Sequence, residues 1–554
     1  MDKVILIYPH LDGPREAALP PLSLISISTF LLGRFEICII DQRVDTEWKQ
    51  KLEHELSSGK PVCAGISTMT GPQIGYALEA AALIRSLAPR LPIVWGGVHP
   101  SLLPEETLAH DLVDIVVIGD GEETFAELVD ALHSGGDLDN VRGIIFRDGD
   151  RQIRTAPRPP FRLEKIPEAA FALLDLDRYR LPSSISKGCC LPIVTSRGCP
   201  FHCGFCYNAR FHGRKWRSLS AEQTLEWIRG LRAQFGIADI FLLDDNFFVD
   251  LKRVSAICSG LAKESPLGVH NANCRIDTLL QMSDGLLAQL RSTGFDCLFV
   301  GVESGSERVL RHIKKGITVG QVLAVNQRLR QAGIQPYYSF MAGFPGETVD
   351  DVKQTLALMS QLLAENPDAV VYPLQFFTPF PGTDLAVEAQ ARGIAYPRAL
   401  TEWIGYHYDG LRFVPEDKAH ARFLQDIHLY SRYLDRKAGA DHKLWKKQLI
   451  RLYSWMLRNR IEHDFFGGLV EIRLLRTLRR DTGEKRDTAP RDPSPRNNAE
   501  RRWGPVALRH SGTRYGIPTG TPGDIGRSAG SRDTDHPQTQ ETERCSHASS
   551  PHLS

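Results

Sequence analysis

Thr195-Ser196-Arg197-Gly198-Cys199-Pro200-Phe201-His202-Cys203-Gly204-Phe205-Cys206-Tyr207-Asn208 is the stretch on which the reading of this chain turns. It follows the apolar run Ile193 to Thr195 and therefore falls on the loop after a strand. Cysteines spaced by three and then two residues can bring three thiolates onto one tight turn, where they converge on a single metal centre. A structural zinc site wants a fourth Cys or His close by, and a cluster held by four thiolates does too. His202 is the only adjacent candidate, and squeezed between Cys199 and Cys203 it is badly placed. Three protein ligands and a vacant fourth position point to iron with an exogenous ligand, with zinc as the alternative.

Outward from this loop, strands and helices alternate from about 186 to 400. The strands are Ile193 to Thr195, Ile240 to Leu243, Val269 to Asn273, Leu298 to Val302, Tyr337 to Phe340 and Val370 to Phe377, which predicts a complete or partial (β/α) barrel. Upstream, residues 1–150 alternate β-branched runs with helical stretches, the pattern of a Rossmann-like, doubly wound parallel sheet in an α/β protein. The carboxyl ends of its strands carry Ser67-Thr68-Met69-Thr70-Gly71, Gly96-Gly97-Val98-His99-Pro100 and Gly119-Asp120-Gly121-Glu122-Glu123. Residues 151–185, rich in Pro, Arg and Phe, read as a surface linker. Residues 401–480 read as a small helical region, with basic amphipathic stretches at Leu444 to Leu452 and Leu474 to Arg480. A helical cap on the barrel is the expectation there, and weak contact with a membrane surface the alternative. After Asp481 large apolar residues become rare, and 481–554 is expected to be a disordered tail.

Composition bounds the possibilities. A chain of 554 residues is too long for one core, and 42% hydrophobic with 24% charged residues is ordinary for a folded protein. Lys plus Arg (67) against Asp plus Glu (66) gives a net charge of +1, so no global field draws the chain to nucleic acid. Eleven cysteines are too few for a disulfide scaffold of this size. No signal peptide and no spanning segment is read, so a cytoplasmic location is expected.

The cysteine loop at the first strand end of a barrel resembles that of the radical S-adenosylmethionine (radical SAM) superfamily. The resemblance implies that Cys199, Cys203 and Cys206 bind a 4Fe-4S cluster whose open iron takes the amino and carboxylate groups of S-adenosylmethionine. One-electron reduction, from a donor such as flavodoxin or ferredoxin, would then release a 5'-deoxyadenosyl radical that abstracts hydrogen from a small-molecule substrate. The family pattern places the backbone of Phe205 against adenine and Gly343 beside the nucleoside. It also assigns polar contacts with the cofactor to Arg275 and Glu303; a structural ion pair between the two is the alternative.

Ser67-Thr68-Met69, Gly96-Gly97 and the run from Gly119 to Phe125 resemble elements of cobalamin-binding domains, with Met69 in place of Leu. The combination is similar to cobalamin-binding radical SAM enzymes, with Ser67, Gly96, Gly97 and Gly119 against the corrinoid. Tyr8-Pro9-His10-Leu11-Asp12-Gly13 keeps a His and a Gly of the axial-ligand motif but lacks the Asp that would orient the imidazole, so cobalamin bound without a protein His is expected. His99 reads as a loop histidine near the corrin. The implied activity is transfer of a methyl group from S-adenosylmethionine, through methylcobalamin, to an unactivated carbon. The alternatives are a non-methylating oxidative cyclase of the anaerobic Mg-protoporphyrin monomethyl ester type and, from another class, a zinc-containing RNA-binding adaptor.

Overall fold

The computed structural model describes residues 1–466 apart from 12–17, 164–167, 180, 182–185, 187, 407–409, 412–416 and 435–443. The short β-branched runs at the N-terminus become β1 (Lys3–Tyr8), β2 (Glu36–Asp41), β3 (Pro61–Ser67), β4 (Ile93–Gly96) and β5 (Ile115–Val117). They pair in parallel in the order β2-β1-β3-β4-β5. Val4, Ile5, Leu6 and Ile7 are all fully buried, as a strand covered on both faces requires. Ile74, Ala77, Ala81 and Ile84 of the helix Gln73–Leu87 pack on one face with Ile5, Ile7 and Trp95. Leu24 of the helix Leu22–Ser28 and Phe125, Leu128 and Val129 of the helix Glu122–Ser134 pack on the other with Val4, Leu6 and Val117. Two cores, one on each face, make the sheet doubly wound and leave its carboxyl edge open to a ligand.

The sheet is not wholly parallel, and the linker expectation is corrected here. β6 (Ile144–Asp148) and β7 (Arg151–Arg154) extend the β5 edge antiparallel, so the region read as linker begins inside the sheet. Phe161, Leu163, Ala170 and Phe171 are then buried in the core of the second sheet system. The Pro and Arg density that suggested a surface path masked four apolar anchors.

The second sheet system opens with β8 (Cys190–Ile193), followed by two short strands, β9 (Ser196–Arg197) and β10 (Arg217–Ser218), that pair antiparallel across the base of the cysteine loop. Next come β11 (Asp239–Leu242), β12 (Gly268–His270), β13 (Ala272–Arg275), β14 (Cys297–Glu303), β15 (Gln335–Ala342), β16 (Val370–Val371) and β17 (Gln375–Phe376). They pair as β12-β11-β8 and β13-β14-β15-β16, with β17 on β15, all parallel. The run read as one strand from Val269 to Asn273 is broken at Asn271, whose φ of 57° turns the chain while its Nδ2 donates to Leu242 O at 2.9 Å. This kink divides the wall of a partial barrel into two curved sheets. The covering helices start where the sequence caps them: Ser220 with Gln223, Thr318 with Gln321 and Thr348 with Asp351 form reciprocal capping boxes.

The C-terminal region does not separate cleanly at 400 as the sequence suggested. Leu400, Trp403 and Tyr406 join the core of the N-terminal sheet, and Trp403 Nε1 donates to Glu106 at 2.6 Å. Helices Lys418–Ser431 and Leu444–Glu462 close on the barrel through Leu424, Ile427, Tyr430, Tyr453 and Leu457. The stretch Leu474 to Arg480 and residues 481–554 lie outside the described residues. Among the described residues no helix is long and apolar enough to cross a membrane.

Candidate functional site

The cysteine loop is held at both ends by a pair of carboxylates that follow β11. Asp244, buried, accepts from Thr195 N at 2.7 Å, Thr195 Oγ1 at 2.7 Å and Ser196 Oγ at 2.6 Å, which fixes the strand just before the loop. Burial pushes its carboxyl up to about 6 against these donors. Asp245 accepts from Gly198 N at 2.6 Å on one side of the three cysteines and from Asn208 Nδ2 at 2.7 Å on the other. Gly198 itself has φ of 85°, and a Cβ there would lie 2.0 Å from Lys215 O, so only glycine fits. Gly204, between the second and third cysteines, donates to Ile313 O at 2.9 Å and accepts from Leu385 N at 3.0 Å.

Within this frame the three thiols lie in electrostatic reach of one another. Asn246 Nδ2 is 3.8 Å from Cys199 Sγ, and Arg275 Nη1 donates to Cys203 Sγ at 3.4 Å. Burial pushes the Cys206 thiol up to about 12 and raises that of Cys199, so metal binding must drive off their protons. Among the described residues no three His, Cys, Asp or Glu side chains are arranged to hold one metal ion. Three cysteines on one loop, with His202 engaged elsewhere, supply the three-thiolate donor set that a four-iron cluster takes, one thiolate to each of three irons. His202 turns away, with Nε2 3.0 Å from Asp384.

Arg275 and Glu303 are not paired with each other. Arg275 forks onto Asp277 (2.9 Å), donates to Lys315 O (2.7 Å) and stacks over the Phe201 ring at 3.8 Å. Glu303 sits at φ 76°, where the β14–β15 register shifts, and holds the buried ammonium of Lys315 at 2.6 Å. A non-glycine residue in the left-handed region at a strand end stores backbone strain, which clusters at functional sites. Phe205 lies with its ring 6.0 Å from that of Phe344. Gly343 donates to Glu347 at 2.5 Å, and the space a Cβ would take there is bounded by Leu411 at 3.1 Å.

A cavity of about 360 Å³ lies between the N-terminal sheet and the loop. Ser67, Gly96, Gly97 and Gly119 line one wall, and Arg197, Tyr207, Asn208 and Asp245 the other. Asn208 Oδ1 and Glu122 Oε2 are buried without a hydrogen-bond partner among the described residues, both on cavity-lining residues. An apolar slot of this volume with a few unspent polar atoms suits a bound group. Gly97 (φ 96°) packs so tightly that a Cβ would stand 2.6 Å from Thr68 O and 2.9 Å from Thr68 N. Gly97→Ala is therefore expected to lower stability by about 1–3 kcal/mol, read by thermal unfolding. His10 is not among the residues of the cavity wall: its ring lies 5.0 Å from that of Tyr76, and its backbone N–H donates to Gln42 Oε1 at 2.9 Å. His99 is fully buried against Trp403, its Nδ1 3.1 Å from Thr70 Oγ1, and burial lowers it to about 3.

The two walls are tied by charge. Arg197 on β9 bonds Asp120 at 3.0 Å and Glu122 at 2.5 Å, and Arg217 on β10 bonds Asp120 at 2.8 Å. Glu122 also accepts from Ser26 Oγ at 2.6 Å, and His212 links Arg217 (3.2 Å) to Asp245 (3.5 Å). Sequence reasoning assigned roles to none of Asp120, Glu122, Arg197, Asp245 or Lys315. The acidic run at 120–123 and Arg197 inside the cysteine stretch were the available signals.

Models of known families match two parts of the chain: that of the Radical SAM superfamily matches residues 193–359, and that of the B12 binding domain residues 13–129. The chain is 29% identical over 393 residues to an uncharacterized methyltransferase of Pyrococcus horikoshii, spanning 69% of this chain and 82% of that one. It is 28% identical over 364 residues to the anaerobic magnesium-protoporphyrin IX monomethyl ester cyclase of Synechocystis sp., spanning 65% and 70%. Among solved structures, the cobalamin-dependent S-adenosylmethionine radical enzyme OxsB with aqua-cobalamin bound has a TM-score of 0.67 over 87% of this chain and 75% of that one. At 20% identity that likeness speaks to the fold.

Proposed function

The chain is a cobalamin-binding enzyme of the radical SAM superfamily, and from that premise we propose that it transfers a methyl group from S-adenosylmethionine to an unactivated carbon of a metabolite. The observation that carries the proposal is the single cavity walled by the strand ends of the B12-binding domain on one side and by the cysteine loop on the other. When bound, the cluster supplies the electron that cleaves S-adenosylmethionine, and cobalamin supplies the transferable methyl group. Cys199, Cys203 and Cys206 hold the cluster. Arg275, whose guanidinium already touches Cys203, and Glu303, beside Lys315, orient the polar end of S-adenosylmethionine. Phe205 and Gly343 border its nucleoside, and Ser67, Gly96, Gly97 and Gly119 form the cobalamin wall. Asp245 and the Arg197 network keep the two walls in register.

The reading is tested by anaerobic incubation of the reconstituted enzyme with methyl-labelled S-adenosylmethionine and a metabolite extract. Label in one extract component, with 5'-deoxyadenosine and S-adenosylhomocysteine both formed, is the expected result. Formation of 5'-deoxyadenosine with no label outside S-adenosylmethionine would overturn methyl transfer and favour oxidative cyclisation, consistent with the similarity to the cyclase.

A further inference from the structure

Strand pairing fixes which side chains share the inner face of the barrel. Asn273 on β13 pairs with Phe299 on β14, and Phe299 with Tyr337 on β15, so the three point the same way. One pleat further along, Arg275 shares that face and reaches Cys203 Sγ. The face is therefore the interior of the barrel, beneath the cysteine loop. The alternate residues Leu298, Val300 and Tyr338 are fully buried against the covering helices, whereas Phe299 and Tyr337 stay half-buried. Tyr372, just past β16, brings a third ring 5.4 Å from Phe299 and 5.8 Å from Tyr337, yet is 38% exposed. On β11 the same alternation leaves Phe241 half-buried, and Leu243, just past its end, is 39% exposed and on the wall of the cavity between the N-terminal sheet and the cysteine loop.

Large apolar side chains left open inside a fold are unfavourable unless something covers them. Phe299, Tyr337 and Tyr372 form one partly open aromatic patch on the inner face, below the level at which Arg275 meets Cys203. The neighbouring cations are already committed: Arg275 to Asp277, Lys315 to Glu303, and Arg197 to Asp120 and Glu122. A phosphorylated or multiply anionic molecule would gain nothing from these walls, while ring faces and edges favour another flat π-system. Resting on the methyl-transfer reading above, we propose that the acceptor is an uncharged, flat, apolar molecule of fused or conjugated rings, stacked on Phe299, Tyr337 and Tyr372 with its reacting edge toward the strand ends where Arg275 meets Cys203.

The test uses the full chain reconstituted with cluster and cobalamin, titrated with Nile red, an uncharged fused-ring dye, and separately with pyrene tetrasulfonate. One saturable, blue-shifted Nile red site is expected, with the tetrasulfonate binding at least about tenfold more weakly. The double variant Phe299→Ser/Tyr372→Ser weakens the dye about tenfold or more while iron content and cobalamin absorption stay those of the wild type. Tyr372→Leu, at a half-exposed position, weakens it less, and serves should the double variant fail to load its cofactors. Leu452→Ala/Trp455→Ala, on the exposed face of the last described helix, leaves dye binding unchanged. Dye binding lost only in that surface variant, unaffected by the inner substitutions, or matched by the tetrasulfonate would overturn the proposal. Dye binding without label transfer would keep the chamber and remove the methyl-transfer reading; label transfer without dye binding would do the reverse.

Discussion

Ala in place of Cys199, Cys203 or Cys206 is expected to abolish cluster assembly and to take 5'-deoxyadenosine formation to background. In the proposed assignment each thiolate would serve a separate iron, so two remaining sulfurs would leave one corner of the cluster without a protein ligand. The loss should be one of ligation and not of folding. The loop is shaped by Asp245 on Gly198 and Asn208, by Asp244 on Thr195 and Ser196, and by Gly204 on Ile313 and Leu385, and none of these bonds uses a sulfur. Thermal unfolding of the apo variants should accordingly stay within about 1 kcal/mol of apo wild type, while iron and sulfide content and the cluster absorption collapse. Cys258→Ala is the contrasting control: that thiol is buried in the barrel core, so its loss leaves a small cavity and normal iron content. Wild-type 5'-deoxyadenosine output from the triple Ala variant would contradict the assignment of the cluster to this loop.

What could be read from the sequence and what could not divide along a physical line. Three cysteines at fixed spacing after a strand act through covalent chemistry that spacing alone reports, and the alternation of Val4 to Tyr8 with helical stretches reports burial on two faces. The partners of Arg275 and Glu303 were only partly legible: Asp277 is two residues from Arg275, but Cys203 and the Lys315 carbonyl reach Arg275 from distant segments, and Lys315 reaches Glu303 from the far side of a helix. The linker reading failed for a related reason. Phe161 and Phe171 are ordinary aromatics in a Pro-rich stretch until the fold brings Leu225, Ile228 and Phe235 against that segment. Trp403, almost three hundred residues from Glu106, likewise gives no local sign that it closes the N-terminal core. Asn271 was missed because one left-handed Asn inside a β-branched run leaves the alternation intact while ending the strand.

The charged tie between the domains carries the second large effect. Arg197→Ala leaves Asp120 and Glu122, both nearly enclosed, without their shared guanidinium, and breaking a buried pair in this way costs about 3–5 kcal/mol. The effect has a pH signature through Asp120. Burial pushes that carboxyl up, and the guanidiniums of Arg197 and Arg217, with His212 adding to them, more than offset it, so in the wild type it titrates below the ordinary carboxylate range. Its pairing therefore contributes stability above the unfolded carboxylate pKa of about 3.9, and that contribution is lost as pH falls through the lower folded value. Without Arg197 the largest of the charges that hold this carboxyl down is gone, so burial moves it upward while Arg217 and His212 still oppose the rise. The gap in unfolding temperature between variant and wild type should thus be widest at pH 7–8 and narrow as pH falls into the carboxylate range, where the variant's Asp120 takes its proton before that of the wild type. Because the three cysteines are untouched, cluster content should survive. The B12-binding wall, however, is no longer pinned to the cysteine loop, so 5'-deoxyadenosine should accumulate in excess of labelled product. A gap independent of pH, or an unchanged ratio of 5'-deoxyadenosine to product, would show that the tie neither stabilises through Asp120 nor aligns the two walls of the cavity.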